Sequence, residues 1–518
     1  MATIINKSMF PLSSGINNIM GMKERYDVLQ TQLASGQKAS RLSEMGSDRY
    51  FDLALRQRIT RIDSFQDSIK SVDLRLNVLD QTISRLDIIE SDMRAVTLSG
   101  SGGQSSLNFD TAPALAASRF DEVMTLLNVD VAGRYLFGGD QTEKRPVEQG
   151  LAVLSGEGGR AGFTKVVEQR RIADLGAGNM GRLTVTPPAA NVVTLTEDGL
   201  ADMPFGIKLS TIVGSNNITV TSPPAWEPGD PVPALPRALD VTFGATLPVA
   251  GETVAFTFKL PDGTEESVVL TASTDPNSAS NFQIGADADA TAANFATSLG
   301  LAINKLAEGT LVTASAYAAS EDFFFGQGGE PKRVDVADFN NVAQLQAATS
   351  LRSATTADTI FWYKGGDSTD PRRSVTAKVA EGATVAYGVQ GTEAGLVNLV
   401  RSLATMAIQK FPKSDATSTD RYNAMTARNN ERLSEDVATN QGSIEMIAVE
   451  LGLAKATSGA VAERHTAHKA QLNNMLQDIE EAPTEVVAME ILALKTRLEA
   501  SYQTTAMLSQ LALVNYLK

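Results

Sequence analysis

Residues 55–93 read LRQRITRIDSFQDSIKSVDLRLNVLDQTISRLDIIESDM, and the spacing of their apolar positions decides the architecture. Leu55, Ile62, Phe65, Ile69, Val72, Leu76, Leu79, Ile83, Leu86 and Met93 follow one seven-residue frame, with Arg58 and Glu90 as its exceptions. Such a repeat is the seam of a coiled coil. A helix over about 44–98 would be roughly 80 Å long at 1.5 Å per residue. A seam of that length needs a partner of similar length. Far downstream, Ile444, Ile447, Leu451, Val461, Leu472, Met475 and Ile479 keep a heptad frame again. The predicted bundle core therefore takes Ile62, Ile69, Leu76, Leu79, Ile83 and Leu86 from the first helix, and Ile447 and Leu451 from the second.

Outward from both seams the chain is nearly palindromic. Before the break LASGQKASRLSEMGSD (33–48), Leu12, Ile19, Tyr26 and Leu33 stand seven apart, with Met22 and Leu29 between them. After Pro483, a residue welcome in a first helical turn, Ile491, Leu494, Leu498 and Tyr502 make one stripe. Then comes SYQTTAMLSQLALVNYLK (501–518), with no charged residue between Glu499 and Lys518. Its Met507, Leu508, Leu511, Leu513, Val514 and Leu517 point in every direction, the mark of a helix covered on all sides. Chain ends normally fray into water. This end is instead expected to be a subunit interface, because the paired terminal helices leave an apolar surface that other copies would cover. The predicted assembly residues are Leu12, Ile19, Tyr26, Leu33, Leu494, Leu498, Tyr502, Leu508, Leu511, Leu513 and Leu517.

Between the seams the composition changes. SGSGGQSS (99–106) reads as a turn before a second helix at about 111–132, and the chain leaves helix through Gly138 and Gly139. Thirteen of the 19 prolines fall between Pro187 and Pro331. Alternating runs around turns such as PDG, in LDVTFGATLPVAGETVAFTFKLPDGTEESVVLTAST, predict antiparallel strands. TAANFATSLGLAINKL predicts an amphipathic helix among them. The expected class is α+β: a long coiled-coil-like helical bundle from paired N- and C-terminal segments, with a β-rich inserted outer domain. Its expected parts are terminal helices in 1–43 and 471–518, a long-helix bundle with hairpin strands in 44–178 and 356–470, and a β-rich insert in 179–355 of one or two subdomains.

At 518 residues, 43% hydrophobic and 20% charged, the chain can bury a sizeable core and is not membrane-like in composition. A net charge of −15 argues against a nucleic-acid partner, which needs clustered Lys and Arg. With no cysteine there is no disulfide, thiolate metal site or cysteine nucleophile. The opening MATIINKSMFPLSSGINNIM lacks the basic-then-apolar pattern of a cleaved secretory leader. Gln503, Thr504, Thr505, Ser509, Gln510 and Asn515 interrupt the tail too often for a membrane anchor.

LQTQLASGQKASRLSEMGSD (29–48) is similar to the N-terminal signature of the bacterial flagellin superfamily, with its small-residue step at Leu33-Ala34-Ser35-Gly36 and with Arg41 and Asp48 following. The run GSDRY departs from the paired Asp usual there. LQDIEEAPTEVVAMEI (476–491) looks like the C-terminal signature. RYLFGGDQT (134–142), FWYKGGDSTDPRRSVTAKVAEGATVAYGV (361–389) and the tail resemble the hook-associated protein 3 subgroup, which joins hook to filament. The resemblance covers about 1–178 and 356–518. It implies an inner tube of terminal helices, a surrounding tube of long helices and a projecting insert. It also implies export through the flagellar channel without a cleaved leader, to an extracellular flagellum. The implied partners are copies of itself, hook-associated protein 1 and flagellin, with an export chaperone at the C-terminal helix. A filament-forming flagellin is the other reading.

Candidate chemistry is sparse. His465 and His468, three apart in ERHTAHKA, are the chain's 2 histidines and could share a metal, but no third ligand stands near them. They also fit the heptad frame as seam residues. DIEE (478–481) reads as a solvated helix face, and FGQGGE lacks the lysine and hydroxyl of a phosphate loop. No cofactor, metal or catalytic constellation is expected.

Overall fold

The seven-residue repeat lies in one helix, Asp48–Gly100, of 53 residues. The computed structural model describes residues 10–100, 105–226, 228–233, 235–324, 329–434 and 443–516, leaving out the side chains of 10–13, 99–100, 105–108 and 511–516. The class is α+β, with long helices towards both ends of the chain and five small sheets between them among the described residues. Contacts divide the chain into two units, Met1–Val72 with Ala377–Thr384 and Ala456–Lys518, and Asp73–Thr376 with Val385–Lys455.

The first unit is helical. It contains the N-terminal helix Phe10–Ser35, the start of the long helix, the end of the return helix Ile444–Glu480, and the C-terminal helix Thr484–Tyr516. Leu55 and Ile62 of the long helix meet Leu472 of the return helix in one buried cluster. Lys469 pairs with Asp63, and the Gln66 amide donates to the Thr466 hydroxyl at 3.2 Å. Ile69 and Val72 are also buried.

The second unit holds the rest of the long helix, where Leu76, Leu79, Ile83, Leu86, Ile89 and Met93 are at most 1% exposed. Ile444, Ile447 and Leu451 of the return helix are buried as well, and Lys455 reaches Asp80 at 3.5 Å. Glu90 stays in the seam at 4% exposure despite its carboxyl.

The middle segment forms two four-stranded sheets. In the first, Val192–Glu197 lies between Leu183–Ala189 and Ala238–Phe243, which in turn pairs with Ile218–Thr221, all antiparallel. In the second the order is Asn281–Gln283, Glu265–Ser273, Thr253–Lys259, Lys208–Gly214, antiparallel except for the parallel first pair. Burial alternates along Val192–Glu197, Ala238–Phe243 and Thr253–Lys259, as it must when one face of a strand meets the core. Helix Ala288–Glu308 supplies Phe295, Leu299 and Ile303 to that core. Its first turn is capped by Asp287, whose carboxylate accepts the Ala290 N–H at 2.8 Å.

One helix differs from its expected span. The second helix runs Ser105–Leu126, and Asp130–Val131 pairs antiparallel with Arg134–Tyr135 where helix was expected to continue to 132. Ala132 and Gly133 turn that hairpin with φ of 54° and 75°. Two consecutive left-handed residues make the tight turn whose twist suits paired strands.

Candidate assembly interface

The N- and C-terminal segments meet at a backbone joint. Helix Phe10–Ser35 stops at Gly36, which takes the left-handed φ of 71° and donates its N–H to the Gln32 carbonyl at 2.8 Å. The Lys38 N–H donates to the Glu480 carbonyl at 2.7 Å, and the Ala482 N–H returns to Gly36 at 2.9 Å. Thus the break at 33–48 and the break before Pro483 pair with each other, and their backbone groups are satisfied without either helix. Side chains add to the joint. Lys38 Nζ donates to the Asp478 carbonyl at 2.8 Å, and Arg56 holds both Asp52 and Glu480. The Glu480 carboxylate raises the Arg56 guanidinium above its ordinary range. Hydrogen bonds from Ser40 and Arg41 hold Glu44 below the usual carboxylate range.

From this joint the N- and C-terminal helices pair along a seam. Leu29, Ala482 and Val487 form its buried cluster, with Ile491 and Leu494 partly buried against it. Ile19, Met22 and Tyr26 are half-buried on one helix, and Leu498 is buried on the other. The covered positions 487, 491, 494, 498, 501 and 505 step by four and three, as a paired seam requires. Arg25 and Glu490 flank it as an ion pair at 3.1 Å.

A second set of apolar side chains faces away from the seam. Ile16, Met20 and Val28 of the N-terminal helix are exposed, and so are Val486, Met489, Leu492 and Met507 of the C-terminal helix. At roughly 100° per residue, Met489, Leu492 and Met507 lie about 140–200° round their helix from the seam. A single partner helix cannot cover both sides. Met507 was already legible in the tail; the others escaped the heptad reading because they lie off its frame.

The predicted assembly residues differ in exposure. Ile19, Tyr26, Leu494 and Leu498 sit along the intrachain seam. Leu33, Tyr502 and Leu508 are 42%, 52% and 49% exposed. The side chains of Leu12, Leu511 and Leu513, and the whole of Leu517, lie outside the described residues.

The histidine pair separates. His465 is buried, stacks on Phe65 with ring centroids 5.6 Å apart, and donates Nε2–H to the Val379 carbonyl at 2.7 Å. His468 is exposed. Among the described residues no three His, Asp or Glu side chains group as a metal site. The DIEE run is drawn into the joint through the Asp478 carbonyl and the Glu480 carboxylate. Most of FGQGGE lies outside the described residues. No described helix is long and apolar enough to cross a membrane.

No protein-family model matches the chain, and no curated protein is similar to it in sequence. A solved structure of flagellar hook-associated protein 3 from Legionella pneumophila is similar over 86% of this chain and 98% of its own, at 13% identity and a TM-score of 0.26.

Proposed function

We propose that this chain is a structural subunit of the bacterial flagellum, and within it the junction subunit that joins hook to filament. The observation that carries the reading is the pair of terminal helices. Their mutual seam is filled, yet Met20, Val28, Met489, Leu492 and Met507 stand exposed on their outer sides. Exposed apolar rows on both members of a helix pair are an interface awaiting neighbours. The sequence resemblance at 29–48 and 476–491 supplies the kind of assembly, and that at 134–142 and 361–389 favours the junction subunit. The N-terminal signature alone would suit the filament subunit equally.

On this reading the terminal segments 1–43 and 471–518 line the inside of a tube, 44–178 with 356–470 surrounds it, and 179–355 projects outward. The chain is an extracellular part of the flagellum with a structural and not a catalytic role. Its partners are its own copies, hook-associated protein 1, flagellin, and an export chaperone on the C-terminal helix. Deletion of 504–518 tests it. Met507 and Leu508 are exposed in the single chain, so the monomer's melting temperature should hold while incorporation into flagella is lost. A truncated chain that still supports filaments, or that melts well below the parent, refutes the reading. Copy number separates the two subunit types, since a junction protein is a trace component of purified flagella and a filament subunit nearly all of their mass.

A further inference from the structure

The first exception to the long-helix frame, Arg58, borders a groove of about 390 Å³ in the first unit. Ile62 and Phe65 form its apolar floor, and Arg58, Arg61 and His468 stand around it. A heptad seam would place an apolar side chain near position 58. Arginine there is exposed, and the neighbouring Ile59 packs against the cluster of Leu55, Ile62 and Leu472 in its place. The charges around the groove do not cancel. Arg61 is matched by Glu381, and His465, beneath, is turned to the Val379 carbonyl. Arg58 has no ion pair among the described residues.

From this geometry we infer that the groove receives an acidic side chain of a second copy of this chain. A carboxylate accepts the forked donors of an arginine, and its short methylene stem suits the Ile62 and Phe65 floor. His468 offers a further ring nitrogen at the rim. A neighbouring copy is the occupant because the chain carries 60 Asp and Glu against 45 Lys and Arg. Its surface is therefore rich in unmatched carboxylates, and like-charged copies that pack side by side need complementary points of contact. This rests on the proposed assembly, and concerns how one copy registers against the next.

The test uses full-length chain in flagella of cells lacking the native copy, with isotopically light and heavy subunits mixed. A carbodiimide joins an amine to a carboxylate in direct contact, so Arg58→Lys converts the proposed ion pair into a covalent link. Peptide mass spectrometry should find position 58 linked to an Asp or Glu of the other isotope. Arg58→Gln should incorporate about tenfold less well, with Arg58→Lys restoring incorporation, as a lost charge-assisted contact implies. The monomer's melting temperature should be the same in all three, because Arg58 is exposed. A link confined to Glu381 of the same chain, a link to a different protein, or no link at all in well-formed flagella overturns the inference while leaving the assembly reading intact. If the unmodified chain never enters flagella, both fall together.

Discussion

Glu90 should make the long-helix seam weaker as pH rises, and Glu90→Gln should remove that dependence. The carboxyl is 4% exposed at a heptad position whose neighbours along the helix are Leu86, Ile89 and Met93. Burial first, and then the like charges of Glu445 and Asp87, push its pKa up from 4.5 to about 8, against a smaller opposing effect of Arg94. The folded state thus holds a proton that the unfolded chain releases between about pH 4.5 and 8. Stability contributed by that proton is fully present below the unfolded value and is lost as pH rises through the folded one. At about 1.4 kcal/mol per pH unit, wild type loses roughly 3 kcal/mol between pH 4.5 and 7, and up to about 5 by pH 9. Glutamine keeps the shape and the polar head without the charge. The variant should therefore exceed wild type by about 3 kcal/mol at pH 7, by more at pH 9, and by little at pH 4.5. Chemical denaturation of both proteins at these three pH values measures the difference, and other titrating groups cancel in it. Amide exchange over residues 83–97 assigns the gain to the seam. A difference that is flat with pH would mean that Glu90 is solvated and the seam open there.

Three further outcomes follow from the same packing. Leu76 is 1% exposed, so Leu76→Asp should cost about 3–5 kcal/mol, read by the same denaturation; a variant as stable as wild type would place this face in water. Residues 179–355 enclose a core running from Leu183 to Ala314, so that fragment should be monomeric and melt cooperatively in calorimetry; a broad, featureless trace refutes an independent insert. Met489→Glu, at a residue 63% exposed and turned from the seam, should leave the monomer's melting temperature unchanged and sharply reduce incorporation into flagella; normal incorporation would remove the outer face from the assembly.

Much of the α+β plan was legible because its signals are local. A period of seven over 55–93, proline and glycine concentrated in the middle, and alternation in ALDVTF and TVAFTFK each report on a few turns or strands of backbone. The position of the hairpin at 130–135 was not legible, since helix was expected to run to 132 and the turn depends on Ala132, an L-residue, adopting positive φ together with Gly133. The same limit applies to the candidate site. His465 and His468 have equivalent spacing in the sequence, and only the approach of the Val379 carbonyl separates a buried, hydrogen-bonded ring from an exposed one.

By itself, the order of residues determined that both chain ends are apolar helices and that the long helices need each other. The tertiary structure decided which apolar row each terminal helix spends on the other. Both helices carry apolar side chains on more than one face, so burial on either would satisfy the hydrophobic pattern. The choice is made by the joint at Gly36 and Ala482, 446 positions apart, where paired backbone hydrogen bonds set the register in which Leu29 meets Val487. Once that register is set, Met20, Val28, Met489 and Leu492 are left outside, because one helix can cover only one side of another.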